Sequence, residues 1–391
     1  MDIERIRRET PAVEELVHFN NAGCSLMPLP VSRALQDYID SEQRIGGYET
    51  AMTWRDRLLG IKPAIASLIN CSATEVAFAE SNTRAWQQFF YSVPLQPGDN
   101  IITTRVDYGS NFVAYIQAAR HRGVEIRYIQ QEADGDLDLG SLEQEIDGKT
   151  RLISLSHIPT GSGVINPASE IGNIADDAGI PFLLDACQSV GHLDLDVTRL
   201  KCTALTATGR KYLRGARGTG FLYVAKDYLA VHEPLYLEQQ SVNLIDAENY
   251  DRLETAEMFE NFEGHFAGRL ALGRAAEYAR EIGTDNIEAR VVSLAALCRE
   301  ELRSIPGVSV HDCGTNLCGI VTFSVDGYDA NTVRSMLHNK QINIWVSDGP
   351  GSLVDFQNRG LEAVCRASVH YFNTEEEIGT FCSALERLSQ S

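Results

Sequence analysis

The 391-residue sequence has no run of about twenty apolar residues, so a membrane-spanning helix is not expected. Its first residues, MDIERIRRETPAVEELVHFNN, are charged throughout and lack the apolar core of a signal peptide. Basic residues are also few, since 34 Lys and Arg stand against 54 Asp and Glu and give a net charge of −20. Because phosphate backbones and anionic lipids repel so acidic a chain, neither nucleic acid nor a membrane is expected as a partner.

The nine cysteines have no paired arrangement: they are odd in number, scattered, and often set in apolar segments such as AALC and LLDAC. This usage is typical of reduced thiols, so we expect a cytoplasmic location. Cys313 and Cys318 have no second pair of ligands at the spacing of a zinc site, and no metal is expected. Internal repeats and linkers rich in Pro, Gly and Ser are absent too, so the parts of the chain should pack closely.

The middle of the sequence alternates short β-rich runs with helix-like segments. The runs VAFAE, NIITTRV, TRLISLSHI and IPFLLDAC are largely apolar, as buried parallel strands are. This alternation predicts an α/β domain with a mostly parallel sheet covered on both faces. After about Gly264, long helical stretches lead into short strands, which predicts a smaller α+β unit. We therefore predict an N-terminal segment (1–18) that packs with the small domain, a large domain (19–265) and a small C-terminal domain (266–391).

Two polar residues follow β-like runs in this region. Asp185 comes directly after the apolar run PFLL, at the carboxyl end of a predicted strand, where open α/β sheets bind their ligands. Lys211 follows the run ALTAT, and the sheet topology could bring both strand ends to one crevice. Because a buried carboxylate is costly unless it meets a cation, the two residues indicate either a binding site or a structural Asp–Lys ion pair.

The stretch TGRKYLRGARGTGFLYV concentrates positive charge in this acidic chain. Arg210, Lys211, Arg214 and Arg217 are interleaved with glycines, a pattern better suited to holding an anion than to a solvated face. A second glycine-containing loop, SHIPTGSGVINP, supplies Thr160. These features suit pyridoxal phosphate, whose aldehyde needs an amine, whose ring nitrogen needs an acid partner, and whose phosphate needs hydroxyls, N–H groups and a cation.

The order LLDACQSVGH and then ATGRKYLRGARGTGFLYV resembles the class V aminotransferase family of fold-type I pyridoxal-phosphate enzymes, which includes cysteine desulfurases and related C–S lyases. The resemblance extends from HFNNAGCSLMP, where relatives have a loop on the substrate side, to CRASVHYFNTEEE. It implies a fold-type I α/β architecture, with a mostly parallel seven-stranded sheet in the large domain and a smaller C-terminal α+β domain. It also implies an amino-acid substrate and a homodimer in which the segment ENFEGHFAG (260–268) crosses to the neighbouring site.

Carried over position by position, the resemblance implies contacts with the cofactor ring for five residues. Lys211 would bond to the cofactor and carry the proton at the substrate Cα. Asp185 would pair with the ring nitrogen, and Gln188 would hydrogen-bond the phenolic oxygen. Tyr108, in RVDYGSN, stands where an aromatic residue stacks on the ring, and Thr160 stands where desulfurases usually have Asn.

The same resemblance implies sites for the phosphate and the substrate. Thr208 and Arg210 would hold the phosphate, although many relatives have His in place of Arg210. Asn82 and Thr83, in ESNTRAW, match the phosphate-binding turn at a predicted helix start. Arg366, in CRAS, would bind the α-carboxylate of the substrate.

Several of these residues also have purely structural interpretations. Thr83 could serve only as a helix N-cap, Tyr108 as a core or rim aromatic, and Arg366 as a surface ion pair.

For Arg214 and Arg217 the sequence leaves open a purely structural role, support of the site, or a position at a subunit interface. His157 and His192, beside the motif strands, are expected to orient neighbouring groups or fill the core rather than to act as bases.

The reaction is harder to infer than the cofactor. Cysteine desulfurases need a nucleophilic cysteine on a loop shortly before the carboxylate-binding arginine, but here that loop offers only Cys365, directly before Arg366 in an apolar run. Desulfurase activity is therefore not expected. Subfamilies with a GRK lysine motif resemble C–S lyases, and the leading interpretation is a β-eliminating lyase acting on a cysteine S-conjugate or sulfoxide. A class V aminotransferase, an amino-acid racemase or epimerase, and a non-catalytic cofactor-binding regulator are the alternatives.

Overall fold

The structure, a computed structural model, describes residues 1–389. Its strands are β1 (Val17–His18), β2 (Val76–Ala79), β3 (Asn100–Thr104), β4 (Glu125–Ile129), β5 (Thr150–Ser156), β6 (Phe182–Asp185), β7 (Ala204–Thr208), β8 (Gly220–Val224), β9 (Val242–Leu244), β10 (Tyr250–Arg252), β11 (Val308–Val310), β12 (Ile320–Val325), β13 (Ile342–Asn343), β14 (Trp345–Asp348) and β15 (Ala363–Ser368).

Its α-helices are α1 (Ile3–Arg8), α2 (Leu29–Ile45), α3 (Gly47–Thr53), α4 (Arg55–Leu59), α5 (Ile61–Ile69), α6 (Asn82–Ser92), α7 (Gly109–Arg122), α8 (Leu139–Glu145), α9 (Ala168–Asp177), α10 (Val197–Leu200), α11 (Lys226–Leu229), α12 (Phe266–Ile282), α13 (Thr284–Ser304), α14 (Ala330–His338), α15 (Gly349–Arg359) and α16 (Glu375–Ser389). Short 3-10 helices cover Pro11–Glu14, Ala73–Glu75 and Ala256–Phe259. None of the helices within residues 1–389 combines the length and the apolar character needed to cross a membrane.

The largest sheet has seven strands in the order β2-β8-β7-β6-β5-β3-β4. Every neighbouring pair from β7 to β4 is parallel, whereas β8 runs antiparallel to both β2 and β7. Along β6, Phe182 and Leu184 enter one hydrophobic core and Leu183 enters the other, as the alternation of side chains in a strand requires. The mostly parallel seven-stranded sheet, covered on both faces, is therefore confirmed.

The C-terminal part contains a four-stranded antiparallel sheet in the order β11-β12-β15-β14. Helix α13 packs on α16 and β11, and α14 packs on β15, so the smaller α+β unit is present. Helix α12, in contrast, packs on α2 and α5. Near the N-terminus, β1 pairs with β13, and Arg7 forms a 2.7 Å ion pair with Glu377. The division into 1–18, 19–265 and 266–391 stays a prediction.

A buried ion pair joins α13 to the loop before β12. Arg299 Nε lies 2.7 Å from Asp312 Oδ2, and the two side chains are 3% and 0% exposed. Arg299 Nη2 also donates to the backbone carbonyls of Cys318 and Ile320. Asp312 Oδ1 accepts from the backbone N–H and the hydroxyl of Thr322. Because both charges have further polar partners, much of their desolvation cost is offset.

Replacing Asp312 with alanine should strongly destabilise the fold, because Arg299 would stay buried without its counter-charge. We expect the free energy of unfolding to fall by about 3–5 kcal/mol in urea denaturation followed by circular dichroism. Glu281→Ala is the matched control, since it removes a half-exposed partner of Arg274 and should cost about 0–1 kcal/mol. If the free energy of unfolding fell no further in Asp312→Ala than in Glu281→Ala, this interpretation would be contradicted.

Candidate active site

The carboxyl ends of four adjacent parallel strands form one edge of the large sheet. In the order β7-β6-β5-β3, the polar residues at or just beyond these ends are Thr208, Asp185, Ser156 and Asp107. Because parallel strands present their carboxyl ends together, four residues that are distant in sequence lie along one crevice. All four side chains are buried. The site is built at this edge.

The carboxylate of Asp185 accepts three hydrogen bonds. Asn82 Nδ2 and the backbone N–H of Cys187 donate to Oδ1, each at 3.0 Å, and Asn111 Nδ2 donates to Oδ2 at 3.1 Å. Within residues 1–389, no side-chain cation forms an ion pair with this carboxylate. The purely structural Asp–Lys ion pair considered from the sequence is therefore not formed.

Asp185 and Lys211 nevertheless influence one another through their charges. Burial raises the pKa of Asp185, while the hydrogen bonds from Asn111 and Cys187 and the charge of Lys211 act in the opposite direction. Burial lowers the pKa of Lys211, and the nearby charge of Arg210 also lowers it, against an opposing contribution from Cys187. A lysine with a lowered pKa offers a larger fraction of neutral, nucleophilic amine at a given pH.

A narrow inner cavity of about 70 Å³ lies over these strand ends. Every residue expected to contact the cofactor lines it: Asn82, Thr83, Tyr108, Thr160, Asp185, Gln188, Thr208, Arg210 and Lys211. Four further residues complete the lining: Ser81, Ser156, Ile158 and Cys187. The structure thus brings the candidate cofactor residues together, whereas their individual roles stay predictions.

Helix α6 begins at the wall of the inner cavity. Its N-cap is Ser81, whose hydroxyl accepts a hydrogen bond from the backbone N–H of Arg84. The interpretation of Thr83 as the N-cap is therefore wrong. Ser81, Asn82 and Thr83 all line the cavity, so the first turn of this helix offers N–H groups and hydroxyls to an anion.

A wider outer cavity of about 390 Å³ adjoins the inner one. Both cavities are lined by Tyr108, Thr160, Arg210 and Lys211. The outer cavity is completed by residues from the N-terminal loop, the basic run and the β14–β15 region: Asn20, Ala22, Gly23, Cys24, Arg217, Trp345, Val346, Ser347, Asp348, Gly351, Ser352 and Arg366. Lys211 therefore lies where the two cavities meet.

Arg366 reaches the outer cavity from β15. It is 4% exposed, and its Nη1 donates to the hydroxyl of Thr160 at 2.6 Å and to the Thr160 carbonyl at 3.2 Å. Burial lowers its pKa to about 10. No carboxylate within the described residues 1–389 pairs with it, and its buried Nε has no hydrogen-bond partner there. The interpretation of Arg366 as a surface ion pair is therefore wrong.

Cys365 precedes Arg366 in β15 and faces the opposite side of the strand. Its side chain is buried, its Sγ lies 3.7 Å from the carbonyl oxygen of Ala330, and burial raises the pKa of the thiol to about 12. Cys365 lines neither cavity, and residues 346–364 contain no cysteine. A sulfur-accepting cysteine is thus missing from the loop where desulfurases would carry it.

The basic run holds the N-terminal loop against the site. Arg210 Nη1 donates to the carbonyl of Gly23, and Arg214 Nε donates to the carbonyl of Leu26 at 2.8 Å. Gln188 Nε2 adds a hydrogen bond of 3.1 Å to the carbonyl of Ala22. The loop that forms one wall of the outer cavity is therefore fixed by its backbone.

The two arginines left without an assigned contact occupy different places. Arg214 is buried and donates to the hydroxyls of Tyr371, at 2.9 Å, and Thr10, at 2.6 Å. Arg217 is exposed and lines the outer cavity. Arg214 thus supports the site from behind, whereas Arg217 can contact a molecule that enters.

The histidines beside the motif strands are buried and neutral at physiological pH. Burial lowers the pKa of His157 to about 4 and that of His192 to about 3. His192 donates from Nδ1 to the carbonyl of Gln188 at 3.1 Å, accepts from the backbone N–H of Gly319 at 2.9 Å, and stacks on Tyr212. His192 therefore orients the segment that carries Gln188.

Sequence reasoning missed Asp107, Asn111, Ser156 and Cys24. The first three surround the crevice near Asp185, and the only available signal was the spacing of Asp107 and Asn111, one helical turn apart in RVDYGSN. For Cys24 the resemblance implies that its loop, HFNNAGCSLMP, lies on the substrate side, but the cysteine itself was not singled out. These residues come together only through the sheet order and the fixed N-terminal loop.

A family model described as Aminotransferase class-V matches residues 17–381. The chain belongs to this family. The match confirms, over nearly the whole chain, the family resemblance that the sequence motifs indicated.

Two probable cysteine desulfurases are similar in sequence to this protein over almost its full length. The probable cysteine desulfurase of Methanothermobacter thermautotrophicus is 28% identical over 396 residues, which cover 100% of this chain and 98% of the relative. The probable cysteine desulfurase of Pyrococcus abyssi is also 28% identical over 396 residues and is covered to 98%, with 99% of this chain matched.

Solved structures share the architecture of this class-V protein. The apo structure of cysteine desulfurase from Thermococcus onnurineus superposes with a TM-score of 0.92 at 25% identity, covering 99% of this chain and 98% of the other. The cystine C–S lyase C-DES, in complex with its reaction product cysteine persulfide, gives a TM-score of 0.85 at 21% identity, covering 96% and 99%. The second similarity bears on the fold alone. Together they confirm the fold-type I architecture.

The lowered pKa of Lys211 predicts its reactivity in the protein without cofactor. Neutral amine accumulates as pH rises through the pKa, so Lys211 should react with formaldehyde and cyanoborohydride at a lower pH than a lysine with the ordinary pKa of 10.5. Labelling at each pH is measured by peptide mass spectrometry, with the exposed Lys340 as a reference in the same sample. Asp185→Asn should shift the Lys211 profile to still lower pH, because the Asp185 charge raises the lysine pKa. Identical profiles for Lys211 and Lys340 would contradict the prediction.

Proposed function

We propose that this class-V family member is a pyridoxal-phosphate enzyme that breaks a C–S bond of a cysteine-derived amino acid by β-elimination. The substrate is a cysteine S-conjugate or sulfoxide. The observation that carries the proposal is the meeting of two cavities at Lys211, one with the donor set for the cofactor and one with an unpaired arginine for an amino acid.

The chemistry of the inner cavity fits pyridoxal phosphate. Lys211 offers an amine to the aldehyde, and Asp185 offers an acid partner to the ring nitrogen. Thr208 and Thr83 offer hydroxyls to the phosphate, and Arg210 offers a cation. When bound, pyridoxal phosphate supplies an electron sink that weakens the bonds at the substrate Cα.

Two orphaned polar atoms support a polar occupant. Gln188 Oε1 and Asn82 Oδ1 are buried and have no hydrogen-bond partner within residues 1–389. Buried amide oxygens of this kind are rare in folded proteins because each costs the free energy of its lost hydration. Both residues line the inner cavity, so an occupant with polar groups, or water held beside it, would satisfy them.

In the outer cavity, Arg366 is the group that we assign to the substrate α-carboxylate. A buried guanidinium without a carboxylate partner is costly, and an incoming carboxylate would offset that cost through two parallel N–H donors. Thr160 holds Nη1 and thereby fixes the plane of the guanidinium. Lys211 lines the same cavity and would remove the proton from the substrate Cα.

β-Elimination is favoured because the sulfur has no acceptor where desulfurases have one. Residues 346–364 contain no cysteine, and Cys365 is buried against Ala330. After the Cα proton has moved to Lys211, the β-substituent leaves with its bonding electrons. Hydrolysis of the three-carbon product gives pyruvate and ammonia.

Cys24 favours a second candidate function, cysteine desulfuration. It is partly exposed and lines the outer cavity with Lys211 and Arg366, and the relatives are named cysteine desulfurases. In that reaction the C–S bond of L-cysteine breaks, the sulfur forms an S–S bond with Cys24, and the substrate Cβ gains a proton to give alanine. The protein then carries a persulfide in place of its thiol.

We also propose that the chain acts as a homodimer, as the resemblance implies. Tyr236, Val113 and Phe262 are large apolar side chains that are 80%, 66% and 48% exposed. Covering such side chains is what a subunit interface achieves. Phe262 lies in the segment 260–268, which matches the part that crosses to the neighbouring site in relatives.

The reaction class is tested by incubating the holoenzyme with L-cysteine and a panel of cysteine S-conjugates and sulfoxides, with and without a keto acid. The lyase proposal predicts many turnovers without keto acid, releasing pyruvate, ammonia and a sulfur-containing leaving group. Pyruvate is followed with lactate dehydrogenase, and the sulfur product is identified by mass spectrometry.

Other results would replace this proposal with a named alternative. A half-turnover that pyruvate or 2-oxoglutarate restarts indicates an aminotransferase, and inversion at Cα indicates a racemase or epimerase. Alanine from L-cysteine, with a reducible persulfide that Cys24→Ser abolishes, indicates the desulfurase. Binding of the cofactor without any turnover indicates a regulator.

Arg366→Ala should raise KM for the amino acid by about 10- to 100-fold, since a charge-assisted hydrogen-bond partner of the carboxylate is lost. Arg366→Lys keeps the positive charge but loses the planar guanidinium, so its KM should lie between those of the wild type and Arg366→Ala. Arg387→Ala, at an exposed position on α16, is the control and should leave KM unchanged. An unchanged KM in Arg366→Ala would place the carboxylate elsewhere.

A further inference from the structure

A second buried carboxylate, Asp107, lies behind Asp185 and has no role in the function proposed above. It follows β3 and is 3% exposed. Its two oxygens accept hydrogen bonds of 2.6 to 3.2 Å from five donors: Thr103 Oγ1, the Tyr108 backbone N–H, Asn111 Nδ2, Tyr115 Oη and Ser156 Oγ. So complete a shell of donors is what an ionised carboxylate requires in a buried position.

The donors approach the two oxygens of Asp107 in separate groups. Oδ1 accepts from Asn111 at 3.0 Å and from Ser156 at 2.6 Å, in addition to the Tyr108 N–H. Oδ2 accepts from Thr103 and from Tyr115. Ser156 and Asn111 thus meet at one oxygen atom, and Tyr115 binds the other.

Asn111 connects the two buried acids. Its Nδ2 donates one hydrogen bond to Asp107 Oδ1 and another, of 3.1 Å, to Asp185 Oδ2. An amide NH₂ group has two hydrogens, and both are used here, so its rotation is fixed at both ends. Because Asn111 is 1% exposed, water cannot readily take the place of either acceptor.

Asp107 is one of the two carboxylates that keep the amide of Asn111 in this rotation. If Asp107 were uncharged and carried a donor of its own, that donor would face the NH₂ group, and only the hydrogen bond to Asp185 would oppose a turn of the amide. In the molecules whose amide turned, no N–H of Asn111 would reach Asp185. The plane of the Asp185 carboxylate would then be held only by Asn82 and the Cys187 N–H, both at Oδ1.

We propose that Asp107 is a positioning residue that acts through Asn111 to hold the Asp185 carboxylate in the orientation that meets the ring nitrogen of the cofactor. The inference rests on the proposed binding of pyridoxal phosphate, but not on which reaction follows.

A purely local role for Asp107 is the competing explanation. Its bonds to Thr103 and to the Tyr108 N–H close the turn between β3 and α7, and losing that turn would weaken the fold anywhere in a protein. The two roles differ in one respect. A positioning role requires Asn111, whereas a turn-closing role does not.

The test is a double-mutant cycle with Asp107→Asn and Asn111→Ala, read out by the Kd of the apoprotein for pyridoxal phosphate and by ¹⁵N NMR of ring-labelled cofactor in the holoenzyme. Each single variant should weaken cofactor binding by about 10-fold, as the loss of a hydrogen bond to a charged group does. Each should also move the ring-nitrogen resonance in the same direction. In the Asn111→Ala background, Asp107→Asn should have no further effect on either readout.

Two further variants keep the test decisive if Asp107→Asn folds poorly. Ser156→Ala removes a donor from Asp107 Oδ1, the oxygen that holds Asn111, and should weaken cofactor binding to a smaller extent than Asp107→Asn. Tyr115→Phe removes a donor from Oδ2 and, because the two oxygens share one charge, should also weaken cofactor binding to a smaller extent than Asp107→Asn, with no further effect in the Asn111→Ala background. The effect of Ser156→Ala should also vanish in the Asn111→Ala background.

Additive losses of Asp107→Asn and Asn111→Ala would overturn the inference and support the turn-closing role. So would an unchanged Kd and resonance in Asp107→Asn. A wild-type chain that binds no pyridoxal phosphate would overturn the proposed function and this inference with it, so the two failures are told apart by the wild-type titration.

Discussion

The buried carboxylate of Asp185 is the constraint around which the site is built. Transferring an anion from water into the end of a sheet costs several kcal/mol unless polar groups replace its hydration. The fold meets this cost with two asparagine amides and a backbone N–H, and none of the three carries a charge. The negative charge therefore stays available to a cationic group in the inner cavity. A direct ion pair with Lys211 would have neutralised that charge.

The arginines of the site have two kinds of position: some hold the N-terminal loop, and others face the outer cavity with donors that are unpaired or exposed. Arg210 and Arg214 donate hydrogen bonds to backbone carbonyls of the N-terminal loop. This wall of the outer cavity is therefore fixed before any ligand enters. Arg366 keeps its Nε unpaired, and Arg217 is exposed at the same cavity. The basic run therefore fixes a wall of the outer cavity and also contributes Arg210 and Lys211 to the lining of both cavities.

The sequence predicts features of single segments, whereas contacts between segments that are distant in sequence are seen only in the structure. Asp185 and Lys211 are predictable because each follows an apolar run, and the order of helices and strands is predictable because their periodicities differ. Asp107 and Ser156 are not, since their contact depends on β3 lying next to β5, and strand patterns do not reveal the sheet order. The position of Cys24 at the site is hard to predict for a similar reason, because the hydrogen bonds that hold its loop there join residues about 190 positions apart.

The turn that carries Lys211 shows how local strain is held by distant contacts. Arg214 closes this turn by donating its backbone N–H to the carbonyl of Lys211 at 2.9 Å, and it does so with a φ of 62°, which costs a non-glycine residue about 1–3 kcal/mol. Glycine would relieve that strain, but it would remove the guanidinium that stacks over Phe372 and binds Thr10 and Leu26. The strained backbone is thus the consequence of placing a buried cation three residues after Lys211. By joining the turn to Thr10 and Leu26 near one end of the chain and to Tyr371 near the other, Arg214 makes the position of the Lys211 amine depend on contacts with both.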